Sequence, residues 1–469
     1  MLSYSFTDDR SFPLYEQLYQ FIRDDILCGN IRELTKLPSK RTLSEQLSVS
    51  ITTVENAYNQ LLSEGYIESV PKVGYYVSNV PQNKIEEDIT NELSYKYHNI
   101  PKTRDYFADF ASNANDPETF PFTTWAKINR EILSNNQTQL MKNSPSNGLL
   151  ELRIAISRYL HDFRGIVVSP DNIVIGAGTE TLFSILIQLL GHNLIYGTEE
   201  PGYEKIALTL NANNVQTVKI PMDIYGIMIS KLYDNKVNII HSTPSHHFPT
   251  GITMPIRRRY DLLSWANNTS GYIIEDDYDS EFRLSGRPIP SLMSIDNNER
   301  VIYMNTFTKS LASTIRISYM ILPNHLMKLY NERLSFYSCP VSNFEQLALA
   351  KFMSDGYYEK HINRMRTASR KKRNLLIKAI KNGPLDKVSE ISEEQSGLHF
   401  ILTIQSKKTK DEIIKECKKQ DINIVSINLS EPLMYHSNEF TTHFMINYSS
   451  IPIERIDEAV KRLTDSILG

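Results

Sequence analysis

The sequence predicts two bodies of unequal size. The first is a small three-helix module closed by a hairpin. Behind it lies a large α/β domain, a parallel-rich sheet with flanking helices and a small C-terminal α+β part. Three observations carry this. Three apolar-periodic segments with short turns fill residues 13–65. From Tyr106 onward, short apolar runs alternate with helical stretches, the pattern of a parallel sheet. And 469 residues suffice for about three domains at roughly 150 residues each.

In chain order, residues 13–29 predict a helix. Pro13 suits a first-turn position, Leu14, Leu18, Phe21, Ile22 and Ile26 recur at helical spacing, and Gly29 fits a C-terminal cap. A short second helix starts after Pro38, with Ser39 as N-cap and Leu43 and Leu47 facing inward. After the turn Ser48-Val49-Ser50, Ser50 caps a third helix carrying Val54, Ala57, Leu61 and Leu62, which stops at Gly65. Two β-prone runs follow, Tyr66–Val70 and Tyr75–Val77, joined by Pro71-Lys72-Val73-Gly74. Three helices with a tight turn between the last two, then a hairpin, predict a winged helix-turn-helix over residues 1–80.

The stretch LPSKRTLSEQLSVSITTVENAYNQLLSEGYI (Leu37–Ile67) resembles the DNA-binding domain of GntR-type bacterial regulators. Pro38, Ser39, Arg41, Leu43, Val49, Ser50, Thr53, Val54, Ala57, Leu61 and Gly65 match that family's pattern. The resemblance implies that Ser39, Arg41, Ser50, Thr52, Thr53 and the wing residues Lys72 and Gly74 approach double-stranded promoter DNA. The physical reason is that a recognition helix presents N–H groups and hydroxyls to phosphates and bases. Ile51 stands where the family usually has a base-contacting arginine. Residues 1–80 hold seven Lys/Arg against ten Asp/Glu, yet Lys36, Lys40, Arg41 and Lys72 gather near the expected docking face. Dimerisation is expected to join two modest half-contacts.

Residues 81–105 are polar and weakly periodic, and read as a linker. In the domain from 106 to 469, strands are expected at Asn172–Gly176, Asn193–Tyr196, Val237–His241, Tyr272–Glu275, Val301–Met304 and Ile315–Leu322. One long helical run is expected from Pro323 to about Met353, then Tyr357–Ile380, with a small subdomain from about residue 356.

Several strand ends carry chemistry. Gly176-Ala177-Gly178-Thr179-Glu180 precedes an apolar helix, a turn that lets backbone N–H groups close on a phosphate. Tyr203 follows the turn Glu200-Pro201-Gly202, and acids crowd Tyr272–Phe282. Lys309 lies just past the strand Val301–Met304, flanked by Thr306, Thr308 and Ser310, with Arg316 close behind. Ligands of open α/β sheets collect at strand ends. A desolvated lysine there can form a Schiff base with a phosphorylated carbonyl cofactor. Singly, each motif is equally an acidic loop, a core aromatic or a packing turn.

In this order, with Gly148-x-x-x-Leu152-Arg153 and Phe163-Arg164-Gly165, the motifs resemble the fold type I pyridoxal-phosphate enzymes, the aminotransferases, over about residues 105–469. The resemblance implies pyridoxal 5'-phosphate as cofactor, bound to Lys309 as a Schiff base. It gives the pyridine nitrogen an aspartate, Asp276 or Asp277; strand alternation favours Asp276. It implies that Tyr278 bonds the ring oxygen, that Tyr203 stacks on the ring, and that Gly178, Thr179, Thr306, Thr308 and Arg316 hold the phosphate.

Joined, the two parts resemble the MocR/GabR family of regulators over essentially the whole chain, with the signature TPSHHFPTG…IIEDDYDSEF…TFTKS…RISYMILP. That resemblance implies a homodimer in which each head contacts the partner's body. It also implies a site sensing an amine or amino-acid effector, or the cofactor itself. The alternative is an aminotransferase with an accessory DNA-binding domain. Departures favour the sensor. Phe248 stands where aminotransferases have a cofactor-binding asparagine, and no arginine occurs between Arg373 and Arg455 to hold a carboxylate; His247, by contrast, only marks a difference from GabR-like members, which have glutamine there. His399, Asn428, Tyr435 and His443 are the other candidates for that region.

The totals fit this reading. Three scattered cysteines (Cys28, Cys339, Cys417), with no CxxC pair and no histidine cluster, argue against disulfides and metal. MLSYSFTDDR lacks the layout of a signal peptide, and the apolar run Thr181–Leu190 is too short to span a bilayer. A cytoplasmic protein without membrane partners is expected.

Overall fold

Two serines set the geometry of the N-terminal part. Ser39 Oγ accepts from the N–H of Thr42 at 3.1 Å and starts helix α2 (Lys40–Leu47); Ser50 Oγ accepts from the N–H of Thr53 at 3.0 Å and starts helix α3 (Ile51–Ser63). Between them Ser48 adopts φ 53°, ends α2 and makes the tight turn. Helix α1 (Leu14–Leu27) begins one residue after Pro13, which sits outside the helix as its cap. Leu18, Ile22 and Ile26 of α1 bury against Leu43 of α2 and Val54, Ala57, Tyr58 and Leu61 of α3. The hairpin adds Ile67 and Val77 to this core. Its strands are β2 (Ile67–Val70) and β3 (Gly74–Val77), and β1 (Lys36–Leu37) pairs with the other edge of β3. Two residues are too few for a sequence pattern to reveal β1.

The computed structural model describes all residues except 1–3, 5, 7–12, 81–103, 113, 115, 285–288, 394, 396 and 430–439. Most of the expected linker 81–105 thus lies outside the described residues. The chain divides into the units Met1–Arg104 and Asp105–Gly469.

The second unit opens with β4 (Ala108–Asp109) and is built on an eight-stranded sheet. Its strands are β5 (Ile173–Gly176), β6 (Ile195–Glu200), β7 (Gln216–Asp223), β8 (Gly226–Ile227), β9 (Ile239–Ser242), β10 (Tyr272–Asp276), β11 (Val301–Thr306) and β12 (Ser318–Ile321). They lie in the order β5-β12-β11-β10-β9-β6-β7-β8. The central run from β11 to β7 is parallel; β12 is antiparallel to both neighbours, and β8 is antiparallel to β7. Apolar side chains cover both faces, which explains the near-continuous apolar strands. Tyr303 and Tyr319 join Leu152 and Ile156 on one face, while Ile302, Met304 and Met320 join Leu182, Phe183 and Leu186 on the other.

Besides shifts at strand ends, such as Ser318–Ile321 for the expected Ile315–Leu322 and Val301–Thr306 for the expected Val301–Met304, three elements differ from expectation. The strand expected at Asn193–Tyr196 runs instead over Ile195–Glu200, because pairing with β7 on one side and β9 on the other carries it on through Gly197 and the polar Thr198, Glu199 and Glu200. Strand β7, with Pro221 and alternating polar residues, carries too weak an apolar pattern to be anticipated. The long run from Pro323 is two helices, Asn324–Arg333 and Asn343–Ser354. Pro340 lacks the N–H a helix interior needs, and Ser342 then caps the second helix by accepting from the N–H of Glu345 at 3.3 Å.

The helix Tyr357–Lys381 leads into an antiparallel sheet of β13 (Ser389–Ser392), β14 (His399–Gln405), β16 (Val425–Ile427) and β17 (Thr441–Asn447), in the order β13-β14-β17-β16. Helices Lys410–Lys419 and Ile456–Leu468 complete its core, with Ile413, Cys417 and Leu463 against Phe400, Leu402 and Phe444. Strand β15 (Ile422–Asn423) pairs in parallel with β4. Among the described residues, no helix is long and apolar enough to cross a membrane.

Candidate functional site

Parallel strands that end together leave their last side chains around a common crevice. Here β10 ends at Asp276 and β11 at Thr306, and Thr306 lies in one register row with Ser318 of β12 and Gly176 of β5. A cavity of about 130 Å3 opens at this edge. Of the nine residues expected to bind the cofactor, Thr179, Tyr203, Asp276, Tyr278, Thr306, Thr308, Lys309 and Arg316 line it.

Gly178, the ninth, lies beneath. It has φ 100° and caps the helix Thr179–Leu190, and a Cβ there would collide with the guanidinium of Arg316. The glycine is thus what lets a cation close on a helix N-terminus, a pair of features that suits a phosphate. Two hydroxyls complete this end: Thr306 Oγ1 lies 2.8 Å from Thr308 Oγ1 and accepts from Ser318 Oγ at 2.9 Å. Arg316 also pairs with Glu180 at 2.8 Å, and Lys205 pairs with the other oxygen of Glu180.

At the far end, consecutive aspartates part company. Asp276 faces the cavity with its Oδ2 3.3 Å from Nε2 of His241. Asp277 points the opposite way, into a buried ion pair with Arg164 at 2.8 Å and a 2.7 Å hydrogen bond from the Tyr303 hydroxyl. Burial, with Asp279 and Asp276 nearby, holds the Tyr278 phenol well above its ordinary value, so it stays an O–H donor. Burial also pushes the Lys309 ammonium down to about 8, partly opposed by Asp279.

Several lining residues escaped the sequence reading: Glu180, Lys205, Ile206, His241 and Thr243. His241 was detectable as the polar residue near the end of β9, one strand over from the acids; Lys205 carried no signal. His247 is buried away from the cavity, its Nε2 3.3 Å from Glu199, whose carboxylate also accepts from Ser242 and Thr243. Phe248 does line the cavity, edge-on to Tyr203 with ring centres 5.5 Å apart. Of the candidates for holding a carboxylate, His399 packs between His246 and Phe248, His443 pairs with Thr403 at 2.9 Å, and Asn428 pairs with Lys410 at 3.1 Å. None of these three lines the cavity, and Tyr435 lies outside the described residues.

This donor set fits pyridoxal 5'-phosphate on its own chemistry. There is a lysine near its titration point, a carboxylate for a ring nitrogen, a phenol donor, an aromatic cover, and a phosphate end made of a helix N-terminus, hydroxyls and an arginine. No group of metal-ligating side chains occurs among the described residues.

In the first unit, Ser39, Arg41, Ser50, Thr52 and Thr53 cluster at the starts of α2 and α3, and all but the half-buried Thr53 are exposed. Lys72 and Gly74 form the hairpin turn, at φ 66° and 137°. Arg41 is paired only loosely, with Glu45 at 3.3 Å across one exposed helical turn.

Residues 14–77 match the family described as bacterial regulatory proteins, gntR family. The chain is similar to the HTH-type transcriptional regulator YdeL of Bacillus subtilis, 38% identical and covering 96% of each chain. It is also similar to the probable rhizopine catabolism regulatory protein MocR of Rhizobium meliloti, 28% identical over 98% of this chain and 95% of that one. Among solved structures, a kynurenine aminotransferase of Pyrococcus horikoshii in complex with PMP superposes with a TM-score of 0.66. It is 26% identical over 78% of this chain and 91% of that chain.

Proposed function

The chain belongs to the MocR branch of the GntR-type transcriptional regulators, and on that premise we propose that its aminotransferase-like unit binds pyridoxal 5'-phosphate at Lys309 and reports ligand state to the DNA-binding head. The observation that carries this reading is the convergence of Lys309, Asp276, Tyr278 and Arg316 on one cavity of a protein whose other unit is a GntR-type helix-turn-helix. When bound, the cofactor supplies an aldehyde that condenses reversibly with primary amines.

The chain's own residues make that exchange readable. Lys309, pushed down to about 8, offers an appreciable fraction of neutral amine near physiological pH. Asp276, oriented by His241, holds a proton at the ring nitrogen. Tyr278 donates to the ring oxygen, Tyr203 covers the ring, and Thr179, Thr306, Thr308 and Arg316 anchor the phosphate. The effector is an amine or the cofactor itself, and its binding biases a two-state arrangement that changes how two heads in a homodimer engage promoter DNA. The protein acts in the cytoplasm, and turnover is not its task. Phe248 has no donor for the ring oxygen, and among the described residues the lining cations are Lys205, Lys309 and Arg316, of which Lys309 would hold the aldehyde, Arg316 the phosphate, and Lys205 pairs with Glu180.

A visible absorption titration tests this. Wild-type protein with pyridoxal 5'-phosphate should show the band of lysine-attached cofactor, Lys309→Ala should lack it, and one class of amines should shift it. Sustained multi-cycle conversion of amino donors and keto acids would contradict the regulator-only reading.

A further inference from the structure

We infer that Ile51 reads a thymine methyl group in the operator, making each half-site A·T at the base pair under the start of α3. This rests on the family reading that the head binds DNA, and not on the cofactor site.

In helix-turn-helix proteins the N-terminal residues of the recognition helix meet base edges in the major groove. Helix α3, Ile51–Ser63, contains no lysine or arginine. The commonest specific contact, a bidentate cation on guanine, is therefore absent from this helix. The nearest cation on α2, Lys40, is drawn into a 2.6 Å ion pair with Glu55 of α3 and lies over the Tyr75 ring. That pair also occupies Glu55, the one α3 carboxylate able to accept from a cytosine amino group.

What α3 does present is apolar. Ile51 is its first residue and is 51% exposed, off the stripe of Val54, Ala57, Tyr58 and Leu61 that packs the core. It belongs to no core cluster of the head, and about half of a large branched side chain stays in solvent. Thr52 beside it is exposed too, and offers a methyl as well as a hydroxyl. The only apolar group on a major-groove base edge is the thymine C5-methyl. Removing a methyl from water is favourable wherever it meets another apolar surface. Asn56 and Asn59, exposed one and two turns along the same helix, suit adenine rather than guanine.

The test uses the full-length protein. A random-sequence duplex library is taken through binding selection, and each thymine of the enriched site is then replaced by uracil, which removes only the methyl. The inference expects one thymine per half-site whose replacement weakens wild-type binding about 3- to 10-fold, as the loss of a methyl contact should. It also expects Ile51→Ala to bind more weakly and to be indifferent to that replacement. Ile51→Arg should move the selected base at that position to guanine. An enriched site in which no thymine behaves this way, or in which Ile51→Ala keeps full methyl dependence, overturns the inference while leaving DNA binding intact. A selection that enriches nothing overturns the DNA-binding reading and the inference with it.

Discussion

Arg164 Nη2 and Asp277 Oδ2 lie 2.8 Å apart with both side chains almost wholly buried, so the second of two consecutive aspartates is fixed on the far side of the strand from the cavity. Asp277 also accepts from Tyr303 at 2.7 Å, and Arg164 donates to the carbonyl of Ile289 at 2.8 Å. Burial works against the Arg164 charge, and Asp277 overrides it and keeps the guanidinium protonated. A buried ion pair adds little over an apolar substitute, but removing one partner leaves a charge uncompensated. Asp277→Asn should therefore lower stability by about 3–5 kcal/mol, read from urea unfolding of the aminotransferase-like unit. Asp276→Asn, which faces the cavity, should leave unfolding nearly unchanged and weaken cofactor binding.

Lys309 makes the site pH-dependent with a definite sign. Its ordinary value is 10.5 and burial lowers it to about 8. Below pH 8 the ammonium dominates, so cofactor attachment should accelerate up to that pH and level off above it. The same shift affects stability. Between about pH 8 and 10.5 the unfolded chain keeps a proton the folded protein has released, so this group makes cofactor-free protein more stable as pH rises through that window. Unfolding of Lys309→Met compared with wild type at several pH values checks this: the variant should lose that rise.

The contact between Gly178 and Arg316 predicts that two very different substitutions share a phenotype. Gly178→Ala would place a methyl against the guanidinium and strain a residue at φ 100°. Arg316→Gln would remove a charge-assisted phosphate contact worth about 1.5–3 kcal/mol. Both should weaken pyridoxal 5'-phosphate binding roughly 10- to 100-fold in equilibrium titration. Neither should affect DNA binding by the cofactor-free protein.

Ser50 links the head's stability to its function. Its hydroxyl satisfies the N–H of Thr53, so Ser50→Ala should destabilise the head by about 1 kcal/mol. Ser50→Asp should restore the cap, yet place a negative charge at the end of α3 proposed to meet DNA. Thermal unfolding should therefore separate alanine from aspartate, while DNA affinity falls in both.

How much of this was legible in the sequence depended on whether the signal was local. Caps such as Ser39 and Ser50 announce themselves because the capping hydroxyl and the N–H it satisfies lie three residues apart. Glycine turns and the alternation separating Asp276 from Asp277 are equally local. Partners brought together by the fold were not legible. His241 meets Asp276 from the neighbouring strand, and Lys205 reaches Glu180 from another helix. Strand β7 stayed hidden because Pro221 and scattered polar residues blur its period, and the break at Pro340 was missed because apolar residues continue across it. His247 was visible only as a residue standing where relatives have glutamine; its buried pairing with Glu199 comes from a distant stretch of chain and left no local trace.

If ligand state at Lys309 is transmitted to DNA binding, operator affinity must differ with and without ligand. Fluorescence anisotropy on a selected duplex should give a Kd for wild-type protein that shifts at least several-fold when pyridoxal 5'-phosphate, or an amine that perturbs its absorption, is added. Lys309→Ala, folded and still binding DNA, should show no such shift. An unchanged Kd in wild type, or an equal shift in Lys309→Ala, would show that Lys309 does not couple ligand to DNA.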